Sequence, residues 1–436
     1  MNRLRTVWLS VLGSLWFIPA VMVCGSIALA LLLIESQALA GSHLAEDWPR
    51  LFGAGAEGAR GMLSAIATSM ITVAGVVFSI TIVSLSLAAS QYSPRVLRNF
   101  MSDRPTQVVL GAFVSVFSYC LIVLRTIRGS DEGDFVPSLA VLGGVMLALF
   151  AVALLIYFIH HVASAIQVSS IVGRISKETE AAIDRLFPAD VGEPTRGDDT
   201  AAAPALPSGP CQTVRAPASG YLVSIDGDAL LAAATRCDAV IQVVPAVGEF
   251  VLREEPLCQV FGGAPPDADM LCGCFTLQPE RTVHQDVAHG LQQLVDVALK
   301  ALSPSVHDPS TAIACIHRLG HLMALLASRP MPEPARRVEG RLRLVLPAPA
   351  FGALLEGAFS PLLRHMGSHA EVYAELARMQ ARIGLFARDA RRRDALRRQL
   401  DAVRTAARGA ELPAHAHARL QADIDAASHG LQLPSG

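Results

Sequence analysis

"TVAGVVFSITIVSLSLAASQYSPRVLRNF", residues 72–100, decides how this chain is built. Residues 72–90 carry no charge, and the apolar run reaches back to residue 62. About 20 such residues take a helix across the hydrocarbon core of a bilayer. "ITIVSLSLA" (80–88) is β-branched and partly alternating, so a strand fits locally. The uninterrupted apolar length decides for helix, because in lipid every backbone group must be satisfied within its own segment. Beyond Ser90 the character changes. Tyr92 suits a membrane interface, Pro94 stops the helix, and Arg95 and Arg98 follow.

Three further windows qualify as spans: about 8–34, 107–124 and 137–159, beside 62–90. The apolar excess is concentrated before about residue 165; over the whole chain hydrophobic residues make up 52% and charged residues only 17%, below the soluble norm of about 25%. The pattern is a membrane region followed by a soluble one. In the first window Pro19 is expected to kink the helix. The apolar core there is long for a cleaved signal peptide and "IESQALAG" (34–41) is a weak cleavage site, so the segment reads as a retained anchor.

Charge orients the spans. Arg3 and Arg5 precede the first, Arg95, Arg98 and Arg104 lie between the second and third, and Arg174 and Lys177 follow the fourth. The opposite loops are more acidic: Glu35, Glu46, Asp47 and Glu57 against Arg50 and Arg60, then Asp131, Glu132 and Asp134 against Arg125 and Arg128. Both termini are therefore expected in the cytoplasm. Eight scattered cysteines with one close pair, Cys272 and Cys274, read as reduced thiols; no metal site and no cofactor is expected. A net charge of −2 predicts no nucleic-acid partner.

The second span carries a stripe of small and hydroxyl residues. Thr68, Thr72, Gly75, Ser79, Ser86 and Ser90 recur at the α-helical period, with Thr81 and Ser84 off the stripe. Such a face either packs closely against another helix or lines a wet path. Ser and Thr can also bond the carbonyls of their own preceding turn. No Asp, Glu, Lys or Arg interrupts the four windows, which argues against a proton-driven pump and leaves a passive path built by an oligomer. His160 and His161 fall near the cytoplasmic boundary as interfacial anchors, and residues 162–176 are expected to continue the fourth helix.

Two long stretches resemble the signatures of a bacterial family of predicted membrane proteins, the domain of unknown function 2254. One is "ITVAGVVFSITIVSLSLAASQYSPRVLRNFMSDRPTQVVLGAFVSVFSYCLIVLRTIR" (71–128); the other is "RTVHQDVAHGLQQLVDVALKALSPSVHDPSTA" (281–312). The resemblance implies a multi-pass inner-membrane protein and no established activity. In that family the position of His307 is often Asn, which weakens a chemical role for this histidine.

The chain divides into a four-helix transmembrane domain (1–165), a helix extension and linker (166–213), a β-rich module (214–280) and a mainly helical region (281–436). "GYLVSID", "AVIQVVP" and "EFVLREEPLCQV" read as short strands. Their turns look similar to those of biotinyl/lipoyl-like barrel-sandwich modules, although no lysine is present to carry a swinging arm. The fold class is thus an α-helical membrane domain followed by an α+β cytosolic domain with a barrel-sandwich-like module.

Residues 284–302 read as an amphipathic helix with an Asp296–Lys300 pair, and Asp308 caps the next helix, 309–327, with Pro309 at its first position. Asp286, Asp296, Lys300 and Asp308 form the candidate cytosolic cluster. "RRVEGRLRLVLPAPAF" (336–351) reads as a strand entering a turn, and 352–366 and 369–408 as helices. The last carries ten arginines from Arg378 to Arg408, either ion-paired in solvent or facing anionic lipid. No catalytic motif is present, and an enzyme built on 286–308 is the weakest reading. A channel or transporter-like oligomer with a cytosolic regulatory domain leads; a membrane scaffold or sensor that binds a cytosolic protein is the alternative.

Overall fold

The computed structural model describes residues 16–40, 55–91, 104–128, 136–165, 167–187, 206–207, 211–263 and 266–432, side chains at a few helix ends excepted. The chain forms two units, Met1–Ser170 and Ile171–Gly436.

Among the described residues the first unit holds α1 (Phe17–Ala40), α2 (Ala56–Gln91), α3 (Arg104–Thr126) and α4 (Ser138–Ala165). Helix α3 is central and packs against the other three. Its Phe113, Val116, Tyr119, Cys120 and Val123 meet Ala30, Leu63, Ala67, Ala140 and Ala151 in one apolar core. Glycines set the closest approaches. A Cβ on Gly111 would lie 2.8 Å from Met22 and 3.0 Å from the Pro19 backbone, so α1 presses directly on α3. On α4, a Cβ on Gly143 or Gly144 would meet Tyr119 or Leu63 at 2.6 and 2.9 Å. At the far end of α3 the Arg60 guanidinium donates to the Ile127 carbonyl at 2.7 Å. The start of α1 meets the start of α3, while the starts of α2 and α4 meet its end, so the helices alternate in direction. Pro19 sits in the first turn of α1, where a missing N–H breaks no helical bond, so no interior kink follows.

The fourth helix ends at Ala165, and α5 (Val168–Leu186) is a separate helix; the expected continuous extension is two elements. The connector 92–103, with Tyr92 and Pro94, and linker residues 188–205 lie outside the described residues. The linker gives way to structure at its end, since Cys211–Arg215 is already strand β1.

The second unit is α+β. After β1 come β2 (Gly220–Ile225), α6 (Gly227–Arg236), β3 (Val240–Val243), β4 (Phe250–Val251), β5 (Pro256–Phe261), α7 (Ala268–Cys272) and β6 (Phe275–Gln278). Then follow α8 (Val287–Ala301), α9 (Pro309–Ser328), β7 (Ala335–Val338), β8 (Arg341–Val345), α10 (Phe351–Leu363), α11 (Ala370–Gly384), α12 (Ala390–Arg408) and α13 (Ala414–Gln432). One sheet has the order β1-β5-β3-β8-β7, the other β4-β2-β6. Strand β3 runs antiparallel to β5 and parallel to β8, with Ile241 opposite Leu344. The sheet therefore takes its edge hairpin from far along the chain. Helix α6 packs across β3 and β8, burying Leu230, Ala233 and Ala234.

Two expected elements differ. The single strand expected at 336–351 is a hairpin, because Glu339 and Gly340 both take positive φ (51° and 75°), the backbone of a tight two-residue turn. The single helix expected at 369–408 is two. It breaks after Gly384, and Asp389 caps α12 by accepting from the Arg392 N–H at 2.8 Å.

Among the described residues five helices could cross a membrane by length and composition: α1 to α4, and α9 in the second unit. Helix α9 is amphipathic. Ala312, Ile316, Leu319, Leu322, Met323 and Leu326 are fully buried, with α8 and α11 packed against the helix, while its outer side carries His317, Arg318 and His321.

Candidate functional site

On α2 the core side is Ala59, Leu63, Ala67, Met70, Ala74 and Val77, all buried. Thr68, Thr72, Gly75, Ser79 and Ser86 are all exposed, turned away from α3 and α4; the Ser90 side chain lies outside the described residues. The close helix contacts inside the unit are made by Gly111, Gly143 and Gly144, so the hydroxyl stripe does not cement this bundle. A Cβ on Gly75 would meet nothing within 4 Å. The Thr72 hydroxyl donates to the Thr68 carbonyl and Thr81 to Val77, each at 2.8 Å, which lets both hydroxyls sit in an apolar medium while keeping acceptor capacity outward.

In the second unit Asp286 is the N-cap of α8, accepting from the His289 N–H at 2.9 Å. Its carboxylate is 3% exposed and meets Arg281, which lies 2.7 Å away and is itself largely covered. Burial pushes the Asp286 carboxyl above its usual range, and Arg281 opposes that rise. The neighbouring Gln285 accepts from the Ile225 N–H at 3.0 Å, and the His284 carbonyl accepts from Arg185 at 2.8 Å. "RTVHQD" (281–286) is therefore a junction that ties β2, α5 and the turn at Gly248 to the start of α8.

Asp308 caps α9, accepting from the Thr311 N–H at 3.1 Å and the Thr311 hydroxyl at 2.6 Å; these bonds hold its carboxyl below the usual range. Its own N–H donates to the Ala301 carbonyl, which puts it beside Lys300 at the C-terminal end of α8. Asp286 is at the other end, roughly 20 Å along the helix. Asp296 lies between and accepts from Gln292 at 2.9 Å. The four residues serve two separate caps and one helix face rather than one converging site.

Sequence reasoning passed over Arg281 and Gly248, which surround Asp286, and the contact of Thr179 with Gly290. A Cβ on Gly290 would lie 2.1 Å from the Thr179 hydroxyl, so α5 and α8 touch at that glycine. Four of the ten arginines between Arg378 and Arg408 pair with acids three residues earlier: Arg378 with Glu375, Arg392 with Asp389, Arg397 with Asp394 and Arg404 with Asp401. Arg392 is buried and donates to the Ala327 carbonyl at 2.7 Å. Cys258 and Cys315 are buried thiols whose surroundings push them up to about 12. Among the described residues no group of three or more His, Cys, Asp or Glu is placed to hold a metal.

A family model described as a predicted membrane protein, the domain of unknown function 2254, matches residues 13–382. The chain belongs to this family. Among relatives, uncharacterised proteins of Mycobacterium bovis and of Mycobacterium tuberculosis strain H37Rv are each 35% identical over 422 residues, covering 93% of this chain and 78% of theirs. A third, from Mycobacterium tuberculosis strain CDC 1551, is 34% identical over the same span. No solved structure matches.

The two stretches that resemble this family map onto α2 with α3, and onto the Arg281–Asp286 junction with α8 and the Asp308 cap. His307 has φ +50°, the left-handed region that Asn enters with less strain than most side chains. The backbone explains why Asn suits this position. The His307 ring stacks on His369 at a tilted 4.7 Å.

Proposed function

We propose that this family member is a four-span inner-membrane protein with both termini in the cytoplasm, assembling as a homo-oligomer into a channel or transporter-like path with a cytosolic regulatory domain. Arginines at the ends of the second and fourth windows and acidic residues in the opposite loops support the orientation. The amphipathic helix α9 counts with the cytosolic part, since its apolar residues are covered and three polar residues lie outside.

The observation that carries the oligomer is the exposure of Thr68, Thr72, Gly75, Ser79 and Ser86 on α2. Small side chains on an otherwise isoleucine- and valine-rich exposed surface allow close approach of a second copy, and outward acceptor oxygens suit a path shared between copies. The scaffold reading is favoured by one observation, the bonding of Thr72 and Thr81 to their own helix, which leaves no hydroxyl proton to be satisfied from outside.

Ion flux through purified protein in liposomes, wild type against Ser79→Leu, separates the two. A path lined by the stripe loses its flux in a variant that still folds and assembles. A scaffold carries no flux in either form across monovalent cations, anions and protons.

A further inference from the structure

A cavity of about 470 Å³ opens in the second unit between the end of α10, the start of α11 and the end of α12. Small-molecule sites occupy roughly 300–1,000 Å³. The walls carry opposite signs. Arg364 and Ser368 stand on one side, where α11 begins. That helix is 15 residues long; its N-cap residue His369 makes no capping hydrogen bond, and Glu371 in the first turn, 3.4 Å from the His369 ring, offsets the positive end of the helix. Glu411, just past the end of α12, stands on the other side with Thr405. Arg364 and Glu411 are exposed, and among the described residues neither has an ion-pair or side-chain hydrogen-bond partner.

Tyr373 points to a ligand independently. It is 3% exposed, it lines the cavity, and its hydroxyl has no hydrogen-bond partner among the described residues. That oxygen is not among the buried polar atoms sealed from solvent, so what contact it keeps is with the cavity. Burial pushes the pKa of the Tyr373 phenol up, which keeps it a neutral donor. A ligand oxygen at this point takes the hydrogen bond that the protein leaves unmade.

We propose that this cavity binds a small zwitterion bearing one carboxylate and one ammonium group, the chemistry of an α-amino acid. Its carboxylate meets Arg364 and the Tyr373 hydroxyl; its ammonium faces Glu411. A plain anion lacks the second half of this match and is repelled by Glu411. The cavity leaves room for a side chain on the ligand. The site makes the second unit a metabolite receptor whether or not the helices of the first unit conduct.

The test is titration calorimetry on the full chain purified in detergent. Each of the twenty common amino acids is the probe in turn, with acetate, ethylammonium and inorganic phosphate as half-ligands. At least one amino acid binds, and acetate and ethylammonium each bind at least about tenfold more weakly. Arg364→Ala and Glu411→Gln each weaken the amino acid about tenfold, and Tyr373→Phe about fivefold. Both charged residues are exposed, so these variants keep the wild-type melting curve by circular dichroism. Acetate or phosphate binding as tightly as the amino acid, affinity unchanged in Arg364→Ala, or no probe binding to folded wild type each overturns the proposal.

Discussion

The Arg281 guanidinium and the Asp286 carboxylate lie 2.7 Å apart, pressed beneath Gly248, where a Cβ would come within 2.3 Å of the carboxylate and 2.8 Å of the guanidinium. Gly248 also has φ +93°, so both space and backbone demand glycine there. Gly248→Ala is expected to destabilise the second unit by about 2–4 kcal/mol, and Arg281→Ala by a similar amount because it strands a buried carboxylate. Asp286→Asn keeps the cap acceptor and is milder than Asp286→Ala. Urea melts of the full chain, followed by circular dichroism, rank the four.

The two caps respond oppositely to pH. Asp308 is held low by Thr311, so its contribution is present above the ordinary carboxylate pKa and is lost as pH falls through its folded-state value. Asp286 is raised, chiefly by burial, so its contribution is full below the ordinary pKa and is lost as pH rises through the folded-state value. Asp308→Asn therefore flattens the acid limb of the stability curve, while Asp286→Asn flattens the limb just above it. Melting temperatures from pH 3 to pH 7, with each variant compared to wild type, read out both slopes.

Helix α5 reaches α8 only because position 290 lacks a side chain. Gly290→Ala forces its Cβ against Thr179, and the expected loss is about 1–3 kcal/mol. Thr179→Ala removes both the hydroxyl and the methyl that the new Cβ meets, so Gly290→Ala/Thr179→Ala recovers most of that loss. Losses that simply add in the double variant would place the strain elsewhere.

In the first unit Tyr119 donates to the Ala140 carbonyl at 2.7 Å and is wholly buried. Tyr119→Phe keeps the ring and costs about 1 kcal/mol, since the carbonyl still lies in a helical ladder. Tyr119→Ala leaves a cavity between α3 and α4 and costs about 3–5 kcal/mol. Thermal melts in detergent give the two values.

Much of this fold is legible residue by residue. Asp308-Pro309 announces a cap and a first helical position, and the structure has both. The apolar stripe from Val287 to Leu302 is buried as a helix. The hairpin at Glu339-Gly340 was harder, because Glu rarely adopts positive φ and gives no turn signal beside one glycine. The break after Gly384 was masked by arginine-rich helix formers on both sides. The second sheet partner of β3 comes from residues 341–345, a pairing that local periodicity does not encode. The α2 stripe was visible as a pattern, but its direction was not. Which face turns inward depends on where Gly111, Gly143 and Gly144 let the other helices close.

That direction is the centre of the account, and cysteine cross-linking in native membranes tests it most directly. In a background with Cys24 and Cys120 replaced by serine, Ser79→Cys is expected to form a disulfide-linked dimer on mild oxidation, and Ala74→Cys, on the buried face of the same helix, is not. Ser79→Cys remaining monomeric while folded, or linking no better than Ala74→Cys, would show that α2 faces lipid and contradict the shared path.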